Sequence, residues 1–463
     1  MSELAVRRTP IAGLLVIDLA VHADNRGWFK ENWQRAKMTA LGLPDFGPVQ
    51  QNISYNAARG ATRGIHAEPW DKLVALANGR IFGAWVDLRA GSATYGTVFT
   101  LELGPETAVF VPRGVANSYQ ALQDGTTYSY LVNEHWSLTA KDSYTFVNLA
   151  DPELAIPWPI PLAEAEISGA DQAHPPLAAV TPMRPKATVI IGAGGQLGTA
   201  LQAVLPDAVP LPQETLDLRF PEQIAAYDWS QVGVVINAAA YTAVDLAETP
   251  QGRRDCWETN VTALARLVQV CREHRITLVH ISTDYVFDGT SETHPEDELF
   301  SPLGVYATTK ATGDALVATL PRHYIVRTSW VVGNGRNFVR TMAELATKGV
   351  KPTVVADQFG RLTFAPDLAA AIAHLLGGDV SYGVYNVTNS GPTLSWYDIA
   401  RLVYELTGHS PDDITPVTTA VYVGDKTGIS PRPTNSTLPL DKLEATGFTM
   451  PDALARLREY LAV

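Results

Sequence analysis

The sequence predicts a two-part fold, an all-β half followed by an α/β half built on a parallel sheet. Up to about residue 150, short β-rich runs are separated by turn signals such as Asn78-Gly79, a spacing typical of a β-sandwich or barrel. From about residue 186, apolar strands alternate with amphipathic helices, the order of successive βαβ units. Clustered prolines between the halves indicate a linker at 173–186, and therefore domains at 1–172 and 187–463.

The expected elements follow in order from the same patterns. In the first half they are strands at 11–17, 73–76, 81–88, 95–101, 108–111 and 126–132. In the second half they are strands at 188–191, near 209–213, and at 232–237, 277–282 and 324–328, with helices at 197–205, 257–274 and 307–319. The remaining segment, 385–463, is expected to form a helical cap with its own small core.

Composition narrows the class of protein. Of the 463 residues, 46% are hydrophobic and 18% are charged, which provides apolar material for several cores and excludes wholesale disorder. The net charge of −13, without a basic cluster, argues against nucleic acid and anionic membranes as partners. No apolar stretch reaches the roughly 18 residues of a membrane span, and two cysteines cannot form a disulfide framework. We expect a soluble, cytoplasmic protein.

A glycine-rich loop opens the second half. The strand at 188–191 runs into Gly192-Ala193-Gly194-Gly195-Gln196-Leu197-Gly198 and then into a helix. Glycines at 192, 195 and 198 let the backbone turn sharply and approach a pyrophosphate at the helix N-terminus, so we expect a dinucleotide site here. The second strand ends near 209–213 without an Asp, Glu or Arg. The choice between NADPH and NADH therefore stays open.

A tyrosine and a lysine four residues apart form a second motif. Tyr306 and Lys310 fall on one face of an expected helix, where the ammonium should lower the tyrosine pKa toward the range of a proton donor. This pair suits the reduction of a carbonyl group. Thr283 ends an apolar strand, at the sheet edge where this architecture binds ligands, and is placed to hydrogen-bond the substrate oxygen.

The motifs of the second half form one set. They are Gly192 to Gly198, Asn237-Ala238-Ala239-Ala240-Tyr241-Thr242-Ala243-Val244-Asp245, Ser282-Thr283-Asp284-Tyr285-Val286-Phe287, Tyr306/Lys310, Arg327-Thr328-Ser329-Trp330, Asn337-Phe338 and Asp357-Gln358. The set resembles dTDP-4-dehydrorhamnose reductase, an extended short-chain dehydrogenase, over about 186–463. The resemblance implies a Rossmann domain with a small substrate-binding cap, and NADPH or NADH as hydride donor.

The same resemblance implies roles for particular residues. Thr283, Tyr306 and Lys310 would form the catalytic triad. The residues implied to bind the cofactor are Gly192, Gly195, Gln196, Leu197, Gly198, Asn237, Ala238, Ala239, Tyr306 and Lys310, and those implied near the sugar nucleotide are Arg327, Trp330, Asn337 and Phe338. Thr199-Ala200 stands where some members carry the glutamate of a magnesium-linked dimer, so that route to a dimer is not expected.

Three side chains of the first half are expected to act in proton transfer at a carbon atom. His66, Lys72 and Tyr130 supply an imidazole that can abstract a carbon-bound proton, an ammonium that can stabilise an enolate, and a phenol that can return a proton from the opposite face. Composition alone favours scattered polar residues in a β-protein, with His66 in the core. The first half contains no His-x-His pair, so no metal is expected.

A second set of motifs decides between these interpretations. It consists of Asp24-Asn25-Arg26-Gly27, Gln50-Gln51-Asn52, Arg63-Gly64-Ile65-His66, Val86-Asp87-Leu88-Arg89, Val111-Pro112-Arg113-Gly114 and Asp151-Pro152-Glu153-Leu154. The set resembles dTDP-4-dehydrorhamnose 3,5-epimerase over about 10–180. The resemblance implies a cupin-like jelly roll and a homodimer formed through this half by exchange of N-terminal strands, for which 11–17 is the apolar candidate.

By this second likeness, His66 is the general base, Tyr130 is the acid and Asp171 orients the histidine. Lys72 fits the enolate-stabilising lysine, although its spacing from His66 is shorter than in many members. Arg26 and Arg63 would hold the diphosphate. Glu31, Gln50 and Asn52 are the further residues implied to bind the substrate.

The two resemblances together imply a bifunctional enzyme of dTDP-L-rhamnose biosynthesis. It would epimerise dTDP-4-dehydro-6-deoxyglucose at C3 and C5 and then reduce the C4 ketone. Two alternatives remain open from the sequence: a fusion that acts on another dTDP-6-deoxysugar, and a regulatory protein that binds a dinucleotide without turnover. Intact Thr283, Tyr306 and Lys310 argue against the second.

Overall fold

The computed structural model describes residues 3–137, 139–377 and 380–462. The chain divides into two compact units, Met1–Pro185 and Lys186–Val463. The segment 173–186 was expected to be a linker, but nearly all of it belongs to the first unit. The backbone N–H of Leu177 donates to the Asp151 carboxylate (2.6 Å), and Met183 pairs with Arg89 in a β-bridge. These backbone bonds attach the proline-rich segment to the first unit.

The first unit is built from strands, with little helix. Its strands are β1 (Ala5–Arg8), β2 (Leu15–Asp18), β3 (Val21–Asp24), β4 (Gly27–Lys30), β5 (Gln50–Asn56), β6 (Ala61–Ala67), β7 (Lys72–Asn78), β8 (Ile81–Asp87), β9 (Val98–Leu103), β10 (Thr107–Val111), β11 (Val115–Ala121), β12 (Thr126–Val132), β13 (Thr145–Phe146) and β14 (Glu166–Ile167). Its α-helices are α1 (Arg35–Ala40) and α2 (Gly169–Gln172). Short 3₁₀ turns lie at Thr139–Ser143, Leu162–Glu164 and Leu177–Ala179.

Two sheets form the jelly roll of the first unit. One has the order β1-β2-β10-β7-β12-β5 and the other the order β13-β6-β11-β8-β9, with β14 beside β6. Neighbouring strands within each order run antiparallel, and apolar side chains such as Trp85 and Tyr128 fill the space between the sheets. Within the run 11–17, Ile11, Leu14, Val16 and Ile17 are buried in this core, and its strand β2 pairs with β1 and β10 of its own chain. The predicted exchange of N-terminal strands stays a prediction.

The second unit alternates strands and helices. Its strands are β15 (Ala187–Ile191), β16 (Val209–Leu211), β17 (Val232–Asn237), β18 (Thr277–Thr283), β19 (His323–Thr328), β20 (Val331–Val332), β21 (Thr353–Val355), β22 (Phe359–Gly360), β23 (Thr363–Phe364), β24 (Gly383–Asn386), β25 (Leu394–Ser395) and β26 (Thr415–Val417). Its α-helices are α3 (Gln196–Val204), α4 (Pro221–Ala226), α5 (Pro250–Trp257), α6 (Ala263–Glu273), α7 (Val305–Val317), α8 (Phe338–Thr347), α9 (Ala365–Gly377), α10 (Trp396–Leu406), α11 (Thr419–Val423), α12 (Asp441–Glu444) and α13 (Ala453–Leu461). A π-helical turn, Glu258–Thr262, joins α5 to α6, and 3₁₀ turns lie at Leu246–Glu248, Asp284–Val286 and Pro411–Asp413.

A parallel sheet with the order β16-β15-β17-β18-β19-β24 forms the centre of this unit. Side chains of α6 and α7 pack on one face of the sheet, and side chains of α3 and α9 pack on the other, which gives the three layers of a Rossmann fold. A separate core from α8, α10, α13 and the short strands forms the cap. The cap therefore begins near Trp330 rather than at 385, and β24 belongs to the central sheet.

No helix in the described part of the chain combines the length and the apolar composition that crossing a bilayer would need.

Candidate active sites

A cleft of about 690 Å³ lies in the first unit between its two sheets. The structure brings together at this cleft five of the predicted site residues: His66, Lys72, Tyr130, Asp171 and Arg63. Because β6 belongs to one sheet while β7 and β12 belong to the other, the imidazole approaches the cleft from one side and the lysine and tyrosine from the opposite side.

His66 and Asp171 form a hydrogen-bonded dyad at the cleft wall. His66 Nε2 lies 2.8 Å from Asp171 Oδ1, and the backbone N–H of Gly64 donates to Asp171 Oδ2 at 3.3 Å. Asp171 is held in place because its own N–H donates to the Ser168 hydroxyl, which caps α2. Burial opposes ionisation of Asp171, but the hydrogen bonds from His66 and Gly64 outweigh it and lower the carboxyl pKa. The carboxylate therefore stays charged beside the imidazole.

Lys72 and Tyr130 lie together on the opposite side. The ammonium of Lys72 contacts the Glu68 carboxylate and lies 4.9 Å from the centre of the Tyr130 ring. Burial lowers the pKa of Lys72 to about 7. Burial also raises the pKa of Tyr130, so its phenol keeps its proton.

A second histidine adjoins the dyad and was not predicted. The His174 ring stacks on Phe146 at 4.6 Å between centres and meets the His66 ring edge-on at 5.4 Å. His174 Nε2 lies 3.9 Å from Asp171 Oδ1. Burial and the neighbouring His66 lower the pKa of His174. The sequence signal was its position three residues after Asp171, just beyond the end of α2.

Four of the predicted substrate-binding residues do not line the cleft of their own chain. Arg26 lies in the β3–β4 hairpin, where it pairs with Asp24 and its side chain is 83% exposed. Glu31 pairs with Lys37 on the surface (2.6 Å). Gln50 Nε2 donates to Asn52 Oδ1 (2.8 Å) on the edge strand β5, where Asn52 is paired with Tyr130. Arg26 lies apart from the cleft because its hairpin forms a separate two-stranded sheet, and the substrate-binding role of all four residues stays a prediction.

The second cleft, of about 450 Å³, opens at the carboxyl ends of the parallel strands. Strands β16 and β17 lie on opposite sides of β15, so the order of strands along the sheet changes direction at β15. Ligands bind at such a switch point in open α/β sheets. The predicted residues that line this cleft are Gln196, Leu197, Ala238, Ala239, Thr283, Tyr306, Lys310 and Trp330.

The glycine loop fits a dinucleotide. A Cβ on Gly198 would lie 2.3 Å from the carbonyl oxygen of Gly192, and a Cβ on Gly192 would lie 2.7 Å from the Ala239 nitrogen, so both glycines allow close packing. By contrast, a Cβ on Gly195 would meet only the Gly192 oxygen at 3.4 Å, and one on Gly194 would meet nothing within 4 Å. Gly195 also stands at the N-cap of α3 without a side-chain cap. The loop thus leaves open backbone and helix N–H groups, as a pyrophosphate requires.

The Tyr306–Lys310 pair differs from its predicted electrostatics. Lys310 Nζ donates to the Ile281 carbonyl (2.6 Å) and lies 3.2 Å from His280 Nε2. Burial lowers the pKa of Lys310 to about 8. Burial, followed by the charge of Asp284, raises the pKa of Tyr306, which a hydrogen bond with Thr283 only partly offsets. The expected lowering of the tyrosine pKa by lysine is therefore wrong for this arrangement, since the ammonium is bonded to a backbone carbonyl instead.

A buried carboxyl group beside Thr283 was also not assigned a role. Asp284 Oδ1 accepts a hydrogen bond from the Thr283 hydroxyl (2.9 Å), and burial raises the pKa of Asp284 to about 6. Asp284 lines the cleft. Its place directly after Thr283 was the available signal.

Trp330 forms the cap side of the cleft. Its ring stacks on Trp396 with 3.7 Å between centres, and a Cβ on Gly360 would lie 2.9 Å from the ring. The tryptophan backbone has φ of +45°, a rare conformation for a bulky residue that persists only when the surroundings hold it. Nothing in the sequence pointed to Trp396, since it comes from the distant helix α10.

Three other predicted residues of this unit have structural roles instead of lining the cleft. Arg327 is buried, donates to Asp314 (3.0 Å) and to the carbonyl of Glu296, and so is directed into the protein. Asn337 caps α8 by accepting from the Arg340 N–H. Asn237 accepts from the Ala239 N–H (3.2 Å) and so holds the loop after β17. In each case the polar groups of the side chain are bonded to nearby backbone groups or to a charged side chain.

Comparisons with known proteins match the two units of the chain separately. The family described as RmlD substrate binding domain matches residues 186–463, and the family described as dTDP-4-dehydrorhamnose 3,5-epimerase matches residues 8–179. The RmlC homolog of Streptococcus pyogenes is 49% identical over 181 residues, which cover 38% of this chain and 90% of that protein. The dTDP-4-dehydrorhamnose reductase of Aggregatibacter actinomycetemcomitans is 36% identical over 291 residues, which cover 59% of this chain and 98% of that protein.

A solved structure matches the second unit. The dTDP-4-dehydrorhamnose reductase of Bacillus anthracis, crystallised in complex with NADP, aligns with a TM-score of 0.55 and 31% identity, over 60% of this chain and 99% of that one. This chain therefore belongs to the RmlD family over its second unit and to the dTDP-4-dehydrorhamnose 3,5-epimerase family over its first, and it is an enzyme with an epimerase and a reductase domain.

Proposed function

We propose that the chain catalyses two consecutive steps of dTDP-L-rhamnose formation. Its first unit epimerises dTDP-4-dehydro-6-deoxyglucose at C3 and C5, and its second unit reduces the C4 ketone with NADPH. The observation that carries the proposal is the presence of two separate clefts, each with a complete set of groups for one step. The NADP-bound relative supports the choice of cofactor.

The epimerase step is a proton transfer next to a ketone. Hydrogens on C3 and C5 are acidic because both carbons flank the C4 carbonyl, so their removal gives an enolate. His66, oriented by Asp171, accepts the proton, and the Lys72 ammonium stabilises the enolate oxygen. Tyr130, on the opposite side and protonated because of its raised pKa, returns a proton to the other face. The configuration at the carbon is thereby inverted.

The reductase step needs a proton donor at the carbonyl oxygen. NADPH, held at the glycine loop and the ends of β15 and β17, supplies the hydride for C4. Tyr306 is protonated because burial raises its pKa, and it donates to the oxygen as that atom gains charge. Thr283 hydrogen-bonds the same oxygen. Lys310 is anchored on the Ile281 carbonyl and lines the same cleft.

Chemistry fixes the order of the two steps. Proton removal at C3 and C5 depends on the C4 ketone, and reduction removes that ketone. Epimerisation therefore precedes reduction, and the product of the first cleft is the substrate of the second.

We further propose a homodimer formed through the epimerase half. Four of the exposed large apolar side chains of this half lie on two elements: Trp28 and Phe29 on the β3–β4 hairpin, and Ile53 and Tyr55 on the edge strand β5. An exposed edge strand that also carries apolar side chains favours pairing with another chain. A second copy of the same unit offers the matching surface.

Two variants test the assignment of steps to clefts. Tyr306→Phe should lower NADPH oxidation by about 10²–10⁴-fold, the usual contribution of a general acid, yet leave deuterium incorporation from D₂O at C3 and C5. His66→Ala should abolish that exchange but still oxidise NADPH when given sugar already epimerised by wild-type protein. Asp171→Asn should slow exchange without eliminating it.

The matched controls are Tyr422→Phe and His22→Ala, which change exposed residues outside both clefts. NMR of the wild-type product identifies the sugar. Loss of deuterium exchange in Tyr306→Phe, or a product other than dTDP-L-rhamnose, would overturn the proposal.

A further inference from the structure

The His174 imidazole is a largely buried ring whose nitrogens lack an adequate partner. Among the described residues its buried Nδ1 has no hydrogen-bond partner, and its Nε2 lies 3.9 Å from Asp171 Oδ1, too far for a hydrogen bond. Buried imidazoles are normally hydrogen-bonded, so an exception requires an explanation. Stacking on Phe146 accounts for the orientation of the ring but leaves its nitrogens unused.

Three side chains beside the cleft form a compact set of potential metal ligands. One donor atom each from His66, Asp171 and His174 lie within 4.8 Å of one another. Two ligands of a tetrahedral Zn²⁺ lie about 3.3 Å apart, given metal–ligand bonds of about 2.0–2.1 Å. The distances from Asp171 Oδ1 to Nε2 of the two imidazoles, 2.8 and 3.9 Å, lie on either side of that value. Side-chain movements of up to about 1.5 Å would therefore bring all three onto one ion.

The surroundings select the class of ion. Two imidazoles and one carboxylate suit Zn²⁺, Co²⁺ or Ni²⁺, whereas Mg²⁺ and Ca²⁺ prefer sets made only of oxygen. The cleft itself provides access to the ion, since His66 and Asp171 both line it.

We propose that His66, Asp171 and His174 form an inhibitory binding site for a zinc-class divalent ion. An ion on His66 Nε2 takes the place of the proton that this atom donates to Asp171, and that proton moves through solvent to Nδ1. The neutral ring then has no free lone pair with which to accept a proton from carbon. The ion therefore stops the epimerase step and leaves the reductase step unchanged. This consequence, though not the binding itself, rests on the proposed role of His66 as the base.

Binding is tested on the full chain without any activity measurement. Titration with ZnCl₂ in a calorimeter should give one site per chain, and Co²⁺ should give the visible absorption of a four-coordinate ion. His174→Ala should weaken Zn²⁺ binding by about 100-fold or more, since even indirect partners of a metal site contribute 10–100-fold. His22→Ala, which removes an exposed histidine of the same unit, should bind as wild type. MgCl₂ should give no binding at this site.

The functional consequence is tested by two assays at equal Zn²⁺ concentration. Deuterium exchange into the keto-sugar should stop in wild type and in His22→Ala but continue in His174→Ala, whereas NADPH oxidation with pre-epimerised sugar should continue in all three. Equal Zn²⁺ affinity in wild type and His174→Ala would overturn the site. Zn²⁺ bound at the site without loss of exchange would overturn the inhibition. Absence of exchange before any metal is added would refute the proposed epimerase function instead.

Discussion

Burial of single residues decides which side chains of the two clefts carry a proton. Burial favours neutral forms, so it raises the pKa of Tyr130 and Tyr306 and lowers that of Lys72 and Lys310. Both tyrosines therefore meet the substrate as phenols, ready to donate. Both lysines have pKa values near the working pH, which makes their charge sensitive to it.

The epimerase step should lose rate as the pH rises through about 7. Enolate stabilisation needs the Lys72 ammonium, and burial lowers the pKa of Lys72 to about 7, so the charged form is present below that pH and lost above it. The rate of deuterium exchange should then fall by up to about tenfold per pH unit, as the ammonium fraction does. The profile is obtained by measuring the rate of deuterium exchange by NMR at a series of pH values from 5.5 to 9.

Lys72→Met supplies the comparison for this pH profile. Without an ionisable group at position 72, exchange should be slower at every pH and should lack the decline above about 7. A decline of the same size in Lys72→Met would assign it to another group. Lys442→Met, which changes an exposed lysine of the other unit, serves as the control.

The family resemblance predicted which residues meet at the clefts more readily than the pairing between side chains. His66, Lys72, Tyr130 and Asp171 were predicted at one site, and the structure brings them there. Arg327 was expected near the sugar, yet it forms a buried ion pair with Asp314 of α7. The sequence shows that Arg327 lies in a strand, but not that a neighbouring helix places a carboxylate beside it.

Among the elements, the glycine loop uses one glycine for tight packing and another for the approach of the ligand. Gly198→Ala would place a methyl group 2.3 Å from a backbone oxygen, which cannot move aside, and should cost about 1–3 kcal/mol of stability. Gly195→Ala meets only an ordinary contact at 3.4 Å, so the fold should tolerate it. Its methyl group would instead oppose the approach of the pyrophosphate and raise KM for NADPH by about tenfold or more.

Thermal unfolding and steady-state kinetics separate the two effects. Gly377→Ala, which also adds a methyl group with nothing within 4 Å, should change neither Tm nor KM. If Gly195→Ala lowered Tm as much as Gly198→Ala and left KM unchanged, the loop would have a packing role only.

Strand β11 shows why part of the fold was not predictable. All seven of its residues are buried, yet Val-Ala-Asn-Ser-Tyr-Gln-Ala shows neither an apolar run nor alternation. Its polar side chains are paired inside the jelly roll: Gln120 Nε2 donates to the Ile160 carbonyl, and the Ser118 hydroxyl donates to the Ala84 carbonyl. By contrast, the strands 232–237 and 126–132 were predicted with the bounds observed, because their apolar residues and flanking turns are continuous in sequence.

For the whole molecule, the proposed dimer depends on the exposed apolar side chains of the epimerase half. Ile53→Glu places a charge on the outer face of edge strand β5, where the side chain is 66% exposed, so it should leave the fold intact but separate two copies. Light scattering of the full chain should then give half the wild-type mass. Leu299→Glu, at a side chain in the reductase half that is 87% exposed, should leave the mass unchanged. A wild-type monomer at micromolar concentration would contradict the proposed dimer.

Two active sites in one chain make a complementation experiment possible. His66→Ala should keep the reductase step and Tyr306→Phe the epimerase step, so neither converts unepimerised sugar alone. Mixed in equal amounts, they should restore NADPH oxidation at a rate close to that of the slower remaining step, because the epimerised ketone can diffuse from one cleft to the other. The rate should rise with the concentration of the variant that catalyses the slower step. If the mixture stayed inactive while each variant kept its own step, transfer of the intermediate would require both intact clefts in one chain, and independent action of the two units would be wrong.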